Sequence, residues 1–129
     1  MKYAPHSQSM IETSIGQDVG STPSLYSVLG GVTRDTVLEL ARDKGIPIEE
    51  RAITRDELYV ADEVFLTGTA AEVTPIRSVD HVKVGRGRRG PITQALQERF
   101  YQVVTGQTED KWGWLQYVNT PAAATARAR

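Results

Sequence analysis

LGGVTRDTVLELARDKGI, residues 29–46, decides the fold, because it joins a tight turn directly to a helix. The pair Gly30–Gly31 supplies the backbone freedom that a sharp turn from an extended segment into a helix requires. Thr33 is a natural N-cap, and the apolar residues that follow it recur on one helical face. We therefore predict an extended segment before Gly30, a helix that begins at Thr33, and a helix end at Gly45.

The same turn has the chemistry of an anion site. It points the free N–H groups of the first helical turn at one place, where the helix dipole adds positive potential. The hydroxyl of Thr33 is a further donor, so a phosphate or a carboxylate is the favoured ligand class. Glycines that only turn the chain explain the motif equally well, and that alternative stays open here.

Outside this stretch the pattern predicts a mixed α/β domain. Thr54–Glu57 is a capping box and predicts a short second helix. Residues 92–103 carry apolar side chains at helical spacing and predict a third. Residues 63–84 are rich in β-branched side chains and predict three short strands, with connections near Gly68–Ala71 and Asp80–His81.

The ends of the chain carry weaker patterns. Residues 1–21 are polar and predict a loosely ordered leader with at most one short strand. Residues 22–118 hold the strong patterns and are predicted to form one domain, and residues 119–129 are expected to be a flexible tail.

Composition narrows the function classes. The 129 residues carry a formal net charge of -1, so no global attraction to nucleic acid or to an anionic membrane is expected. The chain has no cysteine, which excludes disulfides and a cysteine nucleophile, and with two histidines we expect no metal site. No apolar run suits a membrane span or a signal peptide, which favours a cytoplasmic location.

A second turn has a related character. TGTAAE, residues 67–72, consists of small and polar residues between two apolar strands. Small side chains let a ligand approach the backbone, so the N–H groups of Thr69 and Ala70 are candidate anion donors beside the Thr69 hydroxyl. An ordinary tight connection is the competing interpretation.

Four runs of sequence carry a resemblance to a known family: LGGVTRDTVLELARDKGI (29–46), TRDELYVADEVFLTGTAAEVTPIRSVD (54–80), VGRGRRGPITQALQERF (84–100) and TGQTEDKWGWLQYV (105–118). They closely resemble the C-terminal portion of the branched-chain amino-acid aminotransferases, pyridoxal-phosphate enzymes of class IV with the D-amino-acid aminotransferase-like fold. The likeness runs from about Thr22 to Val118. It implies an α/β domain with a small mixed or mostly antiparallel sheet packed by helices.

The resemblance also implies roles for single residues. The positions that match Gly31, Val32 and Thr33 bind the phosphate of pyridoxal 5'-phosphate in the family, together with the position of Thr69. Those that match Gly68, Thr69 and Ala70 receive the substrate carboxylate. The implied reaction moves the amino group of leucine, isoleucine or valine to 2-oxoglutarate. The implied partner is a second copy, as in a homodimer, or a complementary N-terminal half.

One departure from the family limits this interpretation. The catalytic lysine that forms the Schiff base lies upstream of the matching segment in the family, and none of Lys2, Lys44, Lys83 and Lys111 stands in a corresponding context. We therefore predict no catalytic residue in these 129 residues and no transamination by them alone. They would represent a truncated gene product, an expressed fragment or one half of a split enzyme.

Other functions stay open beside this one. An inactive module that binds the cofactor or another anion, or that serves in assembly, is one. A portion of another class IV member, such as a D-amino-acid aminotransferase or an aminodeoxychorismate lyase, is a second.

Arg86, Arg88 and Arg89 could bind nucleic-acid phosphates, but the net charge favours a structural loop. Trp112 and Trp114 are expected to pack the end of the domain rather than to line a pocket.

Overall fold

Three helices and seven strands make up the part of the chain that the computed structural model describes, namely residues 10–15, 18–21 and 31–118, with side chains from residue 31 onward. In chain order they are β1 (Met10–Ile15), β2 (Asp18–Ser21), α1 (Val32–Asp43), β3 (Ile48–Glu50), α2 (Arg55–Val60), β4 (Glu63–Gly68), β5 (Glu72–Pro75), β6 (Ser78–Val79), β7 (Val82–Lys83) and α3 (Pro91–Val104).

Five of the strands form one mixed sheet in the order β3-β2-β1-β4-β5. β2 and β3 run parallel, and the other neighbours are antiparallel. β6 and β7 form a separate antiparallel hairpin. This agrees with the predicted fold class, a mixed α/β domain with a mostly antiparallel sheet.

The main core lies where α1 and α3 pack against β4 and β5. Phe65, Leu40 and Leu96 are fully buried there, one from the sheet and one from each helix. Because every third or fourth residue of α3 faces this core, the predicted apolar face of residues 92–103 is confirmed. The remaining core residues are Val37, Ala41, Val73, Phe100 and Val103.

A second apolar cluster fastens α2 and the hairpin to the sheet. It consists of Leu58, Ala61, Val64, Val79 and Val84. The capping box predicted for α2 is present, because the Thr54 side chain accepts from Glu57 N–H while the Glu57 carboxylate accepts from Thr54 N–H at 2.8 Å.

The start of α1 differs from the prediction. The N-cap is Gly31, whose backbone is extended at φ -108 and ψ 134, and the helix already begins at Val32. Thr33 is therefore the second helical residue and not the cap, and the N-cap lies two residues earlier than predicted. The predicted helix end is confirmed by Gly45, which has φ +69.

The strands differ in number from the prediction. Residues 63–84 hold four strands rather than three, because the chain leaves the main sheet after Pro75 and pairs with itself as β6 and β7. The predicted turn at Asp80–His81 is confirmed, with φ values of 50 and 67 that suit a two-residue hairpin turn.

The leader also differs, since it contributes two strands where at most one was expected. β1 lies in the middle of the sheet between β2 and β4, so the sheet crosses the domain boundary predicted at residue 22. The predicted extended segment before Gly30 and the tail at residues 119–129 lie outside the described residues. Among the described residues, no helix has the length and apolar character that crossing a membrane requires.

Candidate functional site

The N-terminus of α1 has no capping side chain among the described residues. The N-cap residue, Gly31, is itself without a side chain. The first backbone bond of the helix runs from Asp35 N–H to the Gly31 carbonyl at 3.0 Å, so the helix itself does not use the N–H groups of Val32 and Thr33. The Val32 side chain is 83% exposed, which leaves this end open to solvent.

The Thr33 and Arg34 side chains are buried on the other side of this helix start, at 8% and 5% exposure. Arg34 donates to the Glu50 carboxylate of β3 at 2.7 Å and lies 3.5 Å from the Asp35 carboxylate. The pair joins the first turn of α1 to the edge strand of the sheet. Arg34 was not predicted as a site residue, although a cation in a first helical turn opposes the helix dipole and is therefore expected to have an acidic partner.

The second candidate turn is the hairpin loop between β4 and β5. Gly68 pairs with Glu72 across it, which leaves Thr69, Ala70 and Ala71 as the loop. Glu72 closes the loop with a φ of 50. Gly68 is buried, whereas Thr69 and Ala70 are exposed, so their N–H groups and the Thr69 hydroxyl are placed at the surface.

Both turns belong to elements that pack together, since α1 contacts β4. Val32 and Thr33 line a cavity of about 520 Å³ between α1, α3 and the segment around Trp114. Gly68, Thr69 and Ala70 do not line this cavity. The structure thus places the predicted residues in two groups, Gly31–Thr33 and Gly68–Ala70.

Comparison with known proteins shows what the chain is similar to. The model of the family described as "Amino-transferase class IV" matches residues 17–79. The branched-chain-amino-acid aminotransferase of Escherichia coli (strain K12) is 54% identical over 97 residues, which cover 75% of this chain and 31% of that protein.

Solved structures agree with the sequence comparison. The branched-chain amino acid aminotransferase from Escherichia coli superposes with a TM-score of 0.83 and 46% identity, covering 87% of this chain and 38% of that one. The T.th. branched-chain enzyme, solved with pyridoxamine 5'-phosphate, also gives 0.83, with 40% identity over 86% of this chain and 37% of that one.

The chain is similar to the class IV aminotransferases over residues 17–79. It matches about a third of the length of the branched-chain enzymes, so the predicted resemblance to a portion of them is confirmed.

The donor set at α1 suits an anion such as a phosphate. The N–H groups of Val32 and Thr33 and the Thr33 hydroxyl are donors, and the helix dipole adds positive potential. No side-chain carboxylate caps this helix end among the described residues. Asp35, in the same first turn, and Glu39, about one turn later, also line the cavity.

The described lysines lie away from this helix end. Lys44 is the C-cap of α1, and Lys111 forms an ion pair with Asp43 at the end of the same helix. At a rise of about 1.5 Å per residue, that end lies about 16 Å from Val32 along the axis. Lys83 belongs to the hairpin strand β7, and Lys2 lies outside the described residues.

The basic loop between β7 and α3 has structural glycines. Gly85 and Gly87 have φ values of +46 and +67, and a Cβ on Gly85 would lie 2.0 Å from the Asp62 carbonyl oxygen. A Cβ on Gly90 would lie 2.0 Å from the Glu63 carboxyl carbon. These contacts support the structural interpretation of the loop.

Trp112 and Trp114 stack on each other with ring centroids 4.5 Å apart. Arg99 of α3 lies over the Trp112 ring at 5.9 Å, so the pair packs the segment after α3 onto the domain, as predicted. Trp114 also lines the cavity that contains Thr33. The sequence had predicted packing for this residue rather than a position in a pocket.

Asp43 ties this aromatic segment to α1, and it gives a pH prediction. The hydrogen bond from Lys111 holds the pKa of the Asp43 carboxyl below its usual 3.8, with Arg99 adding to the effect. A lowered folded pKa means that the stabilisation is complete above pH 3.8 and is lost as the pH falls through the folded value. We expect Asp43→Asn to lower the urea midpoint at about pH 7 and to make less difference near pH ~3.

Tryptophan fluorescence follows both unfolding and the Trp112 environment, and it provides the measurement. Glu109→Gln removes an exposed carboxylate from the same segment and serves as the control. A decrease in midpoint that is the same at both pH values would contradict the role of the Asp43 carboxylate.

Proposed function

We propose that this chain forms the cofactor-phosphate and substrate-carboxylate portion of a pyridoxal-phosphate-dependent branched-chain amino-acid aminotransferase. Gly31, Val32, Thr33 and Thr69 hold the phosphate, and Gly68, Thr69 and Ala70 receive the carboxylate. The substrates of the complete enzyme are leucine, isoleucine or valine and 2-oxoglutarate.

The start of α1, which no described side chain caps, is the observation that carries this proposal. A helix end without a capping side chain leaves N–H donors to be satisfied by water or by a ligand. Thr33 is the next residue of the same helical turn and lines the same cavity as Val32. Such an end favours the phosphate dianion over a neutral ligand.

The hairpin loop supplies the second half of the site. The β4–β5 ladder fixes the backbone of Gly68 and Glu72, and so the N–H groups of Thr69 and Ala70 between them are presented by a short, constrained loop. These donors orient a carboxylate without a charged side chain. When bound, pyridoxal phosphate supplies the electron sink for bond changes at the substrate carbon.

These 129 residues alone do not transaminate in our proposal. The reaction needs a base that moves a proton at the substrate carbon, and Lys44 and Lys111 lie at the far end of α1. A partner chain supplies the Schiff-base lysine. This partner is either a complementary N-terminal half or a second copy in a homodimer whose chains include that half. An inactive binding or assembly module, or a portion of another class IV enzyme, is the alternative.

Titration with pyridoxal 5'-phosphate tests the phosphate site. We expect Thr33→Ala and Thr69→Ala each to weaken binding by at least about tenfold, the loss of one hydrogen bond to a charged group. Ser78→Ala, which removes an exposed hydroxyl from β6 outside the cavity beside Thr33, is the matched control. Phosphorus NMR of the cofactor reports contact with its phosphate directly. Equal weakening by all three variants would contradict the assignment.

Turnover tests the second part of the proposal. The chain with pyridoxal 5'-phosphate, leucine and 2-oxoglutarate is expected to form no glutamate above the cofactor background. Glutamate appears once the remaining portion of the Escherichia coli relative is co-expressed with it. Glutamate formed by the chain alone would overturn the missing-base argument, and cofactor binding without rescue would favour the binding module.

A further inference from the structure

Within the described part of the chain, the loop between β7 and α3 carries three arginines without carboxylate partners. Among the residues that the structure describes, Arg86 and Arg88 form neither an ion pair nor a hydrogen bond through their side chains. Arg89 donates to the neutral amide oxygen of Gln97 at 2.6 Å. Of the six other arginines in the described residues, five pair with a carboxylate and Arg77 does not; the five are Arg34, Arg42, Arg51, Arg55 and Arg99.

These three arginines line a cavity of about 720 Å³. Its size lies within the roughly 300–1,000 Å³ of small-molecule sites. Asp62 and Glu63 also line it, but the Glu63 carboxylate is already used. It accepts from Ile92 N–H at 3.1 Å, and from Thr93 N–H at 2.9 Å and the Thr93 hydroxyl at 2.6 Å.

The loop holds its shape before any ligand arrives. Gly85 and Gly87 adopt left-handed φ values, and a Cβ on either would meet a neighbour at 2.0 Å and 2.9 Å, respectively. The loop therefore fits closely against Asp62 and the aliphatic part of Lys83. A constrained backbone lowers the ordering cost of gathering three guanidinium groups around one ligand.

We infer that this cavity binds a small multivalent phosphate through Arg86, Arg88 and Arg89. Guanidinium groups pair with phosphate oxygens in a planar, two-point geometry, and several phosphates engage several of them at once. A single phosphate engages fewer of the three guanidinium groups, whereas a chain of phosphates can engage each of them. Because Glu63 takes the first N–H groups of α3, the guanidiniums and not the helix end hold the ligand.

Calorimetric titration of the 129-residue chain with tripolyphosphate tests this inference. Arg86→Gln/Arg88→Gln is expected to weaken binding by at least about tenfold, and Arg42→Gln/Lys44→Gln by less than about twofold. The control pair removes the same charge from two exposed cations elsewhere, so general electrostatic attraction would affect both pairs equally. Equal losses would overturn the inference.

Amide NMR locates the ligand in the unaltered chain and needs no variant. Shifts confined to residues 85–94 support the cavity, whereas shifts at Val32 and Thr33 alone overturn it. Tighter binding of a single-stranded oligonucleotide than of tripolyphosphate also overturns it in favour of nucleic acid. The inference does not rest on the proposed function, because the arginine pair should leave pyridoxal phosphate binding unchanged.

Discussion

Glu63→Ala is expected to lower the free energy of unfolding by about 3 kcal/mol, a loss typical of a buried, charged hydrogen-bond acceptor with several donors. Glu63 is 7% exposed, and its carboxylate accepts from two N–H groups of the first turn of α3 and from the Thr93 hydroxyl. The N-cap of this helix is Gly90, which has no side chain to serve as a cap. A residue on β4 thus takes the place of a capping side chain.

Urea unfolding of the variant and of Glu98→Gln measures this effect. Glu98 is an exposed carboxylate of α3, and its replacement is expected to cost less than about 0.5 kcal/mol. Gly90→Ala provides an independent check, because its Cβ would displace the Glu63 carboxylate without changing it chemically. A loss below about 1 kcal/mol in both Glu63→Ala and Gly90→Ala would contradict the capping role.

Gly85→Ala is expected to destabilise the fold by about 3 kcal/mol through two combined effects. Its φ of +46 disfavours any residue with a Cβ, and that Cβ would lie 2.0 Å from the Asp62 carbonyl oxygen. A backbone carbonyl cannot move away as a flexible side chain can, so either the loop or the segment before β4 must shift.

Gly45→Ala separates the two effects. Gly45 has a φ of +69 and no heavy atom within 4 Å of the position that an added methyl group would take, so its replacement adds backbone strain without a collision. We expect a loss of about 1 kcal/mol there. The difference between the urea midpoints of Gly85→Ala and Gly45→Ala measures the cost of the collision between the added methyl group and the Asp62 carbonyl. Equal losses would show that φ alone accounts for the effect.

Local sequence patterns predicted most of the elements. The capping box at Thr54, the apolar face of α3 and the glycine end of α1 each depend on residues within a few helical turns. The turn at Asp80–His81 is local for the same reason. Two predictions were wrong for the same reason: the position of the N-cap of α1 and the number of strands in residues 63–84. Both depend on where the chain stops contacting the neighbouring element, and the spacing of residue types along the sequence carries no information about that.

Short runs of residue types were enough to predict the helices, the two anion-competent turns and the resemblance to class IV aminotransferases. Three features emerged only from the folded chain: β1 and β2 lie inside the main sheet, Arg34 pairs with Glu50, and Glu63 caps α3. The partners in the two side-chain pairings are 16 and 30 positions apart. Arg34 meets Glu50, and Glu63 meets the start of α3, because the sheet brings β3 and β4 beside these helices. The order of strands in the sheet is set by the burial of the whole core and not by any local pattern.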